Sequence, residues 1–409
     1  MSDTLFTVGV AKRDVTPEIG VNLVGGVAPY PSDGIATRPY IKALALTGAN
    51  GTFLFVTFDN LKYPDALDAV AALAKDTGLD ETHILVTASH AHSCPWYQDY
   101  GTAIIENMLS ASREALASQT PCTLLVASGK LENLTQNRRV IKDGTCWNTW
   151  LLPKEERLNY PPAAAHDTEV LTLAARDENG KYKALLFNFA CHACTSGATP
   201  TLISADYPGY TRLFVDEALG YETETLFWPG ACGDINGLRD AETIGRAMAK
   251  VIVDSLTDAK EIESNDLNVM QVWLGLTDRN VQEFRQDDVE EIWAKEVEHF
   301  RQCYQEAVDA RKDVYPCPLS AIRIGRDLAV ITSPTEMFSE IGLKLKAESP
   351  FKTTFVVEQT NGALGYLPTD KAYTQGGYET FYGEHSFLEQ NAANKIFRAS
   401  MALLESVRK

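Results

Sequence analysis

Two histidines separated by a single residue are the first feature of this sequence whose types and spacing could do chemistry. His90 and His92 follow the short apolar run 84–88, which is typical of a β-strand. Residues i and i+2 of an extended segment lie on the same face, so both imidazoles can point into one cavity. Imidazole is a preferred protein ligand for zinc. The pair therefore indicates a metal site, although histidines that only hydrogen-bond at a strand end would give the same pattern.

A third histidine lies in a similar context. His192 follows the apolar run 185–190 and precedes the small polar residues 195–197, and the whole chain contains only seven histidines. Three histidines at strand ends favour a joint metal site. A catalytic zinc usually has three protein ligands and an open position, and a carboxylate would complete the set. Residue patterns leave that choice open among five acidic residues at predicted strand ends: Asp59, Asp206, Asp234, Glu336 and Glu358.

Apolar runs and helical periodicities alternate along the chain. A strand at 52–58, a helix at 64–77 and a strand at 84–88 follow one another in the βαβ order of a parallel or mixed sheet. Ligand-binding residues of such sheets collect at the carboxyl ends of strands. We therefore expect an α/β fold with mixed β-sheets, flanking helices and a metal site at strand ends. The patterns further predict helices at 102–117, 240–257, 336–347 and 386–407, and strands at 5–10, 122–128, 170–175, 184–190, 223–228, 320–324, 328–332 and 353–358.

The segment 264–313 differs from the rest of the chain in its charged composition. It predicts a strand at 267–275 and a solvated helix at about 288–311. No repeat or low-complexity linker sets it apart. We therefore expect a single catalytic domain over 1–409, with 264–313 as a possible helical insertion.

The bulk composition restricts the partners. The chain has 409 residues and a formal net charge of -18, which argues against nucleic acid and against an anionic membrane surface. No run approaches the ~18 apolar residues of a membrane span, and the first residues lack a signal-peptide pattern. The eight scattered cysteines are expected to be reduced. We expect a cytoplasmic protein that binds a small-molecule substrate, without nucleic acid and without stable membrane association, and the oligomeric state stays open.

Several motifs in a fixed order resemble those of one enzyme family. The most specific is Thr87–Pro95, which contains a His-x-His-Ser-x-Pro element. The other matching segments are weak singly but keep the family order: 8–17, Asn137-Arg138, 188–192 with 204–210, 230–236, 333–336 and 365–369. Together they resemble the N-terminal catalytic domain of the neutral/alkaline non-lysosomal ceramidases.

The resemblance implies one zinc ion per chain and a set of site residues. It places His92 and Arg138 beside the metal, where a histidine could move a proton and an arginine could hold an oxyanion. Asp234 is a further catalytic candidate, since a carboxylate can orient a ligating histidine. His92 could instead orient His90, and Arg138 could be a surface ion-pair partner. The implied metal ligands are His90, His192, Glu336 and Tyr366, with Tyr373 and Tyr378 as alternatives for the tyrosine.

The sequence departs from the family pattern near the expected pocket. Asn236 replaces a family serine, the pair Trp96-Tyr97 replaces two glycines, and Cys94 replaces another glycine. We therefore expect Trp96, Tyr97 and Asn236 to contact the substrate. The chain also ends at residue 409, so no C-terminal β-sandwich domain is expected. These departures indicate that the fold and metal site were kept while the substrate changed from ceramide.

The sequence thus predicts a zinc-dependent hydrolase that cleaves an amide, ester or lactone bond of a soluble small substrate through a zinc-activated water. A metal-dependent lyase, epimerase or glycoside-cleaving enzyme acting on a sugar derivative is the first alternative, because Asn236 replaces the serine. A non-catalytic binding protein with a degraded site is the second. Zinc is favoured, although the predicted ligands would also suit manganese or iron.

Overall fold

A computed structural model describes residues 6–24, 30–153, 155–196, 201–284 and 297–409. The helices are α1 Ala66–Thr77, α2 Ala103–Ala117, α3 Asp206–Leu219, α4 Ala241–Ser255, α5 Val297–Asp309, α6 Ser339–Glu348, α7 Asp370–Gln375 and α8 Ala392–Arg408. The strands are β1 Phe6–Asp14, β2 Asn22–Leu23, β3 Tyr30–Pro31, β4 Gly34–Ile35, β5 Tyr40–Gly48, β6 Gly51–Phe58, β7 Ile84–Ala88, β8 Thr120–Lys130, β9 Thr135–Asn137, β10 Arg139–Lys142, β11 Thr145–Asn148, β12 Glu169–Arg176, β13 Tyr182–Phe189, β14 Leu202–Ile203, β15 Glu224–Pro229, β16 Ile235–Gly237, β17 Lys260–Glu261, β18 Leu267–Leu276, β19 Tyr315–Ile324, β20 Leu328–Thr332, β21 Glu336–Met337, β22 Thr353–Val357 and β23 Tyr366–Leu367.

The largest sheet contains nine strands of mixed direction. Its order is β15-β13-β12-β8-β1-β5-β6-β7, and β17 pairs with β8 beside this path. The pairs β6 with β7 and β13 with β15 are parallel. The order β6, α1, β7 confirms the predicted βαβ unit. The sheet curls strongly, since its terminal strand β15 also contacts β6 and β7.

A second sheet of four strands has the order β18-β19-β20-β22. Its strands β20 and β22 are parallel, whereas β18, β19 and β20 form antiparallel pairs. A two-stranded parallel ladder, β21 with β23, continues beyond the end of β20. These short strands bring the segments around residues 336 and 366 side by side.

The two sheets enclose a shared apolar core. Successive residues of a strand point to opposite faces, and in β6 Phe55 joins this core while Leu54 packs with α1 and α2. Trp228 of β15 meets Phe55 at 5.2 Å and Phe355 of β22 at 6.2 Å between ring centroids. Helices cover the outer faces: α1 to α4 pack on the large sheet, and α6 and α8 pack on the second sheet. The predicted α/β fold with mixed sheets and flanking helices is therefore confirmed.

Two predicted helices begin later than their sequence patterns indicated. Residue 336 starts the ladder between β21 and β23, so the helix predicted at 336–347 begins only at Ser339. The helix predicted at 386–407 begins at Ala392, because Leu388 forms a β-bridge with Asp278. In both cases backbone groups are used by a strand partner that is distant in sequence. The helix predicted at about 288–311 is present as Val297–Asp309, and its earlier part lies outside the described residues.

Two of the longer elements, β5 and α3, had no sequence prediction. Strand β5 carries alternating alanines, which have a low preference for strands. Helix α3 contains Pro208 and Gly209, which disfavour helix interiors but are tolerated in the first turn. Tertiary packing, rather than local residue preference, therefore determines the secondary structure of both segments. Among the described helices, none is both long enough and apolar enough to cross a lipid bilayer.

Candidate metal centre

The ends of five strands converge around the predicted histidines. His90 lies two residues beyond β7, and His192 lies three residues beyond β13. Cys232 follows β15 at the same spacing as His192 follows β13, Glu336 lies on β21 just beyond β20, and Glu358 directly follows β22. The predicted site residues from both sheets are thus brought together by strand ends.

Three imidazoles form one cluster. His90, His92 and His192 each offer a nitrogen, and these nitrogens lie within 4.8 Å of one another. The ring centroid of His90 lies 5.0 Å from that of His92 and 4.5 Å from that of His192. The predicted pairing of His90 with His92, and of both with His192, is observed in the geometry.

Backbone carbonyls orient two of these rings. The Nδ1 of His90 donates to the carbonyl oxygen of Leu61 at 2.8 Å, and the Nδ1 of His192 donates to that of Cys232 at 2.7 Å. A carbonyl can only accept, so both rings carry the proton on Nδ1 and turn Nε2 inward. His90 has a φ of +62°, in the left-handed region that non-glycine residues seldom adopt. Surrounding contacts hold this conformation, which aims the ring at the cluster.

Glu336 completes the group from the second sheet. Its Oε2 lies 3.4 Å from Nε2 of His90 and 3.4 Å from Nε2 of His192. Among the described residues, this oxygen and the Nε2 atoms of all three histidines are buried without a hydrogen-bond partner. Buried polar atoms are normally satisfied. Four such atoms in one cluster of side chains fit a divalent cation, and imidazole with carboxylate is a ligand set that zinc prefers.

Burial and neighbouring groups favour the neutral forms of His92 and His192 and the ionised form of Glu336. Burial, the neighbouring imidazole of His90 and that of His192 together hold the pKa of His92 well below its usual value. Burial and the guanidinium of Arg138 lower the pKa of His192 to about 3. Burial opposes the ionised form of Glu336, but a protonated imidazole at His90 or His192 would favour it, and the pKa of this carboxyl lies well below its usual value. Neutral imidazoles and an ionised carboxylate are the ligating forms.

Arg138 is buried beside the cluster and is not a surface ion-pair partner. Its Nε donates to Glu379 at 2.7 Å, its Nη1 to the Asn236 side-chain oxygen at 3.2 Å, and its Nη2 to the Tyr366 hydroxyl at 3.0 Å. Glu379 is fully buried and also accepts from Arg139 at 2.8 Å. Burial would raise the pKa of Glu379, but the two guanidinium groups lower it to about 2. The carboxylate is therefore charged and fixes Arg138 in place.

Among the three candidate tyrosines, the structure brings Tyr366 to the cluster. Tyr366 pairs with Glu336 in the ladder of β21 and β23, and its ring centroid lies 6.4 Å from that of His192. Tyr373 lies against the guanidinium of Arg279 at 4.9 Å. Tyr378 stacks on His385 with ring centroids 4.5 Å apart, and its ring also meets that of Tyr366 at 5.7 Å. Tyr366 is thus the tyrosine that shares a strand ladder with the carboxylate.

Asp234 braces the backbone around the site. It is buried and accepts from the Asn137 side chain at 2.6 Å and from the backbone N–H of Ser339 at 2.8 Å. Burial raises the pKa of Asp234 to about 6. The Nδ1 atoms of His90 and His192 donate to backbone carbonyls and not to Asp234. The carboxylate of Asp234 instead binds the segment before Arg138 and the first residue of α6. None of these contacts of Asp234 is with a histidine, so they do not support its predicted role in orienting one.

The three predicted substrate contacts lie in two places. Asn236 stands against Arg138, and its side-chain oxygen also lies 3.6 Å from the Cys194 sulfur. Trp96 is 40% exposed, and the Lys62 ammonium lies 5.7 Å from the centroid of its ring. Lys62 directly follows Leu61, the residue whose carbonyl holds His90. A surface pocket of about 430 Å³ is lined there by Lys62, Pro64, Trp96, Tyr97, Gln98 and Asp99.

The other acidic candidates serve the surrounding loops. Asp59 pairs with Arg212 at 2.7 Å, and Asp206 accepts from both backbone and side chain of Thr195 and Ser196. Residue patterns alone could not choose Glu336 from the five, since all five stand at predicted strand ends. Sequence reasoning missed Glu379, which lies 241 positions from Arg138 in the chain. No local motif marks such a partner.

Comparisons with known proteins agree on one family. The family model described as neutral/alkaline non-lysosomal ceramidase, N-terminal, matches residues 6–230. Neutral ceramidase B of Dictyostelium discoideum is 25% identical over 231 residues, which cover 51% of this chain and 31% of that protein. The match therefore spans about a third of the length of this curated relative.

Two solved structures have a similar fold. The crystal structure of neutral ceramidase from Pseudomonas aeruginosa matches with a TM-score of 0.77 at 17% identity, over 100% of this chain and 75% of that chain. A structure described as ceramidase complexed with C2 matches with a TM-score of 0.74 at 16% identity, over 99% and 76% of the two chains. At these identities the likeness concerns the fold.

Proposed function

This chain belongs to the neutral/alkaline non-lysosomal ceramidase family, and from that premise we propose that it is a zinc-dependent hydrolase of a soluble small amide. The family membership supports a ceramidase-like hydrolase. The zinc ion, the ligand set and the substrate are parts of the proposal, with an ester or lactone as the related alternative bond.

One observation carries the proposal. Four buried atoms that can ligate a metal, from three histidines and Glu336, belong to one cluster of side chains and lack hydrogen-bond partners among the described residues. The proposed ligands are His90, His192 and Glu336, with Tyr366 as the fourth. A bound zinc would supply an activated water near neutral pH and would polarise the scissile carbonyl.

The residues around the four ligands provide the remaining chemistry. The two Nη groups of Arg138 point towards the site, beside Asn236 and Tyr366. They could donate to the negative charge that develops on the oxygen of the substrate carbonyl. His92 is half-buried, and its Nε2 has no hydrogen-bond partner among the described residues, so this nitrogen could accept a proton and pass it to the leaving amine. His92 lies as close to the other two imidazoles as a ligand would, so it could also join the metal.

The substrate is proposed to be small and soluble rather than ceramide. Trp96 and Tyr97 stand where the family pattern has glycines, and they line an open surface pocket with Lys62, Gln98 and Asp99. An exposed indole beside polar groups suits a ring or sugar-like portion of a substrate. Asn236, held by Arg138, would contact the part of the substrate nearest the reacting bond.

The first experiment is metal analysis of the purified wild type and of His192→Ala, both prepared without added metal. We expect about one zinc per chain in the wild type and loss of most of it in the variant, because removing one ligand leaves an incomplete site. Plasma mass spectrometry gives the stoichiometry. Zinc-loaded protein is then tested on a panel of soluble amides, esters and sugar derivatives in ¹⁸O-labelled water.

Either result is informative. Incorporation of one labelled oxygen per turnover supports hydrolysis, whereas turnover without labelled oxygen would point to a lyase or epimerase. A wild type that takes up no stoichiometric zinc, even when zinc is offered, would remove the basis of the proposal. The variant His83→Ala is the control, since His83 lies outside the cluster, against Phe53 at 4.6 Å.

A further inference from the structure

We propose that Glu358 is the positioning residue of the metal centre, tying the loop that orients His192 to the strand that carries Glu336. This inference rests on the proposed zinc site. It concerns a residue that touches none of the four proposed ligand atoms but holds the backbone behind two of them.

Glu358 is fully buried and bonds to both ligand-bearing segments. One carboxylate oxygen accepts from the backbone N–H of Cys232 at 3.1 Å and from that of Met337 at 2.9 Å. The other oxygen accepts from the Cys232 thiol at 3.0 Å. Cys232 supplies the carbonyl that orients His192, and Met337 directly follows Glu336. The Glu358 side chain therefore sets the distance between Cys232, whose carbonyl orients His192, and the backbone next to Glu336.

The residues that follow Glu358 form similar supporting hydrogen bonds to the segment that carries His90. The carbonyl of Gln359 accepts from the backbone N–H of Ala88 at 3.1 Å, two residues before His90. The Gln359 side chain lies 3.4 Å from Nδ1 of His90. Asn361 exchanges hydrogen bonds with Val86 of β7 through its backbone and its side chain. Gln359 and Asn361 have φ values of +53° and +56°, so the segment holds an unusual shape to make these contacts.

The position of Glu358 matters because the ligands come from elements that are not otherwise continuous. His90 and His192 follow strands of the large sheet, whereas Glu336 follows a strand of the second sheet. Metal ligands need to be held in place before the ion arrives, and partners behind the ligands typically change metal affinity about 10- to 100-fold when lost. Glu358 is the carboxylate that joins the two sheets behind the site.

The test compares zinc affinity in three variants of Glu358. Glu358→Met keeps the length but removes every acceptor, and we expect zinc affinity to fall about 10- to 100-fold. Glu358→Gln keeps an oxygen able to accept from both N–H groups, so we expect an affinity close to that of the wild type. Glu358→Asp is one methylene too short to reach both loops, so we expect a loss between these two. Competition with a chromophoric zinc chelator gives each dissociation constant.

A matched control separates positioning from general stability. Asp167→Leu also removes a buried carboxylate, which binds the Lys346 ammonium at 2.6 Å and the Glu169 backbone N–H at 2.9 Å but no N–H group beside a proposed ligand. We expect it to lower the melting temperature of the metal-free protein without changing zinc affinity. If Glu358→Met does not fold, the comparison of Glu358→Asp with Glu358→Gln carries the same test.

The outcomes distinguish this inference from the proposed function. Weaker zinc binding by Glu358→Met or Glu358→Asp, restored in Glu358→Gln, supports the positioning role. Wild-type affinity in Glu358→Met and Glu358→Asp overturns it while leaving the zinc site intact. Absence of zinc binding in the wild type overturns both.

Discussion

At the scale of single residues, the Arg138 guanidinium shows how a buried charge is prepared for catalysis. Its Nε side is fixed by the ionised Glu379, while its two Nη groups face the Tyr366 hydroxyl and Asn236. A donor that is already oriented needs no reorganisation when negative charge develops on a substrate. The arrangement contains two arginines and one glutamate, so the network keeps a positive charge towards the site.

The lowered pKa of Glu379 makes a prediction about acid stability. A carboxyl group whose pKa falls from 4.5 to about 2 on folding stabilises the protein above pH 4.5, and this stabilisation is lost as the pH falls towards 2. Glu379→Gln should therefore destabilise the protein by about 3–5 kcal/mol at neutral pH, since it leaves buried arginines without a charged partner. The difference from the wild type should shrink by about 2 kcal/mol between about pH 5 and about pH 3.

Urea unfolding at several pH values measures this difference. Glu298→Gln is the matched control, because that side chain is 89% exposed, and its effect should be small at every pH. A Glu379→Gln effect that stayed constant from pH 5 to pH 3 would contradict the assigned shift.

At the scale of elements, the close contact between the Gly233 turn and β21 sets the position of Glu336. The N–H of Gly233 donates to the Met337 carbonyl at 2.8 Å. A methyl group at position 233 would overlap the Glu336 carbonyl group, with the carbonyl carbon only 2.9 Å away. Both partners are backbone, so neither can rotate out of the way.

Gly233→Ala should therefore displace β21 and weaken the metal site. We expect a loss of about 1–3 kcal/mol in the free energy of unfolding from overpacking, and zinc affinity lowered at least about 10-fold. Gly275→Ala on β18 is the control, since its new methyl would meet only the exposed Val314 side chain, at 3.1 Å, and no backbone atom. Equal zinc affinities of the two variants would show that β21 tolerates the change.

The elements themselves were largely predictable from residue patterns. Apolar runs such as 52–58 and 84–88 located strands within one residue at each end, because β-branched and aromatic residues there pack on both faces. The start of α6 was not predictable, since residues 336–338 are held by a partner strand thirty residues later. Local sequence does not record which distant backbone will occupy a segment's hydrogen bonds.

The residues of the candidate site also divide into those that residue patterns could identify and those that they could not. The three histidines could be found because they follow apolar strands and share a residue type that ligates metals. Glu336 could be chosen among five acidic residues only by a family resemblance, and the structure places its carboxylate 3.4 Å from two histidines. Glu358 was one of the five and proves to face backbone N–H groups. The sequence alone does not indicate whether a glutamate faces a metal ion or backbone N–H groups.

At the scale of the whole molecule, the candidate centre joins the two sheets. His90 and His192 extend from the large sheet, and Glu336 extends from the second one. A zinc ion bound between them would add a cross-link to the shared apolar core and the hydrogen bonds of Glu358 that already join these parts of the fold. Metal binding and global stability should therefore be coupled.

Removing the metal should lower the stability of the wild type. At free zinc about 100 times the dissociation constant, the bound form gains about 2.7 kcal/mol over the metal-free form. Urea unfolding with zinc and with a chelator should show a difference of this size. His192→Ala should show little difference between the two conditions, and an equal shift in both proteins would assign the effect to zinc bound elsewhere.

The segment from Glu358 to Asn361 has a second consequence, which concerns association between molecules. Strand β7 ends the path of the large sheet, and an unpaired terminal strand offers its backbone to any other extended chain. Asn361 and Gln359 occupy the backbone groups of Val86 and Ala88, and Glu358 donates to the carbonyl of Pro229 at the opposite terminal strand. The residues that brace the candidate centre thus also shield this end of the sheet from edge-to-edge aggregation.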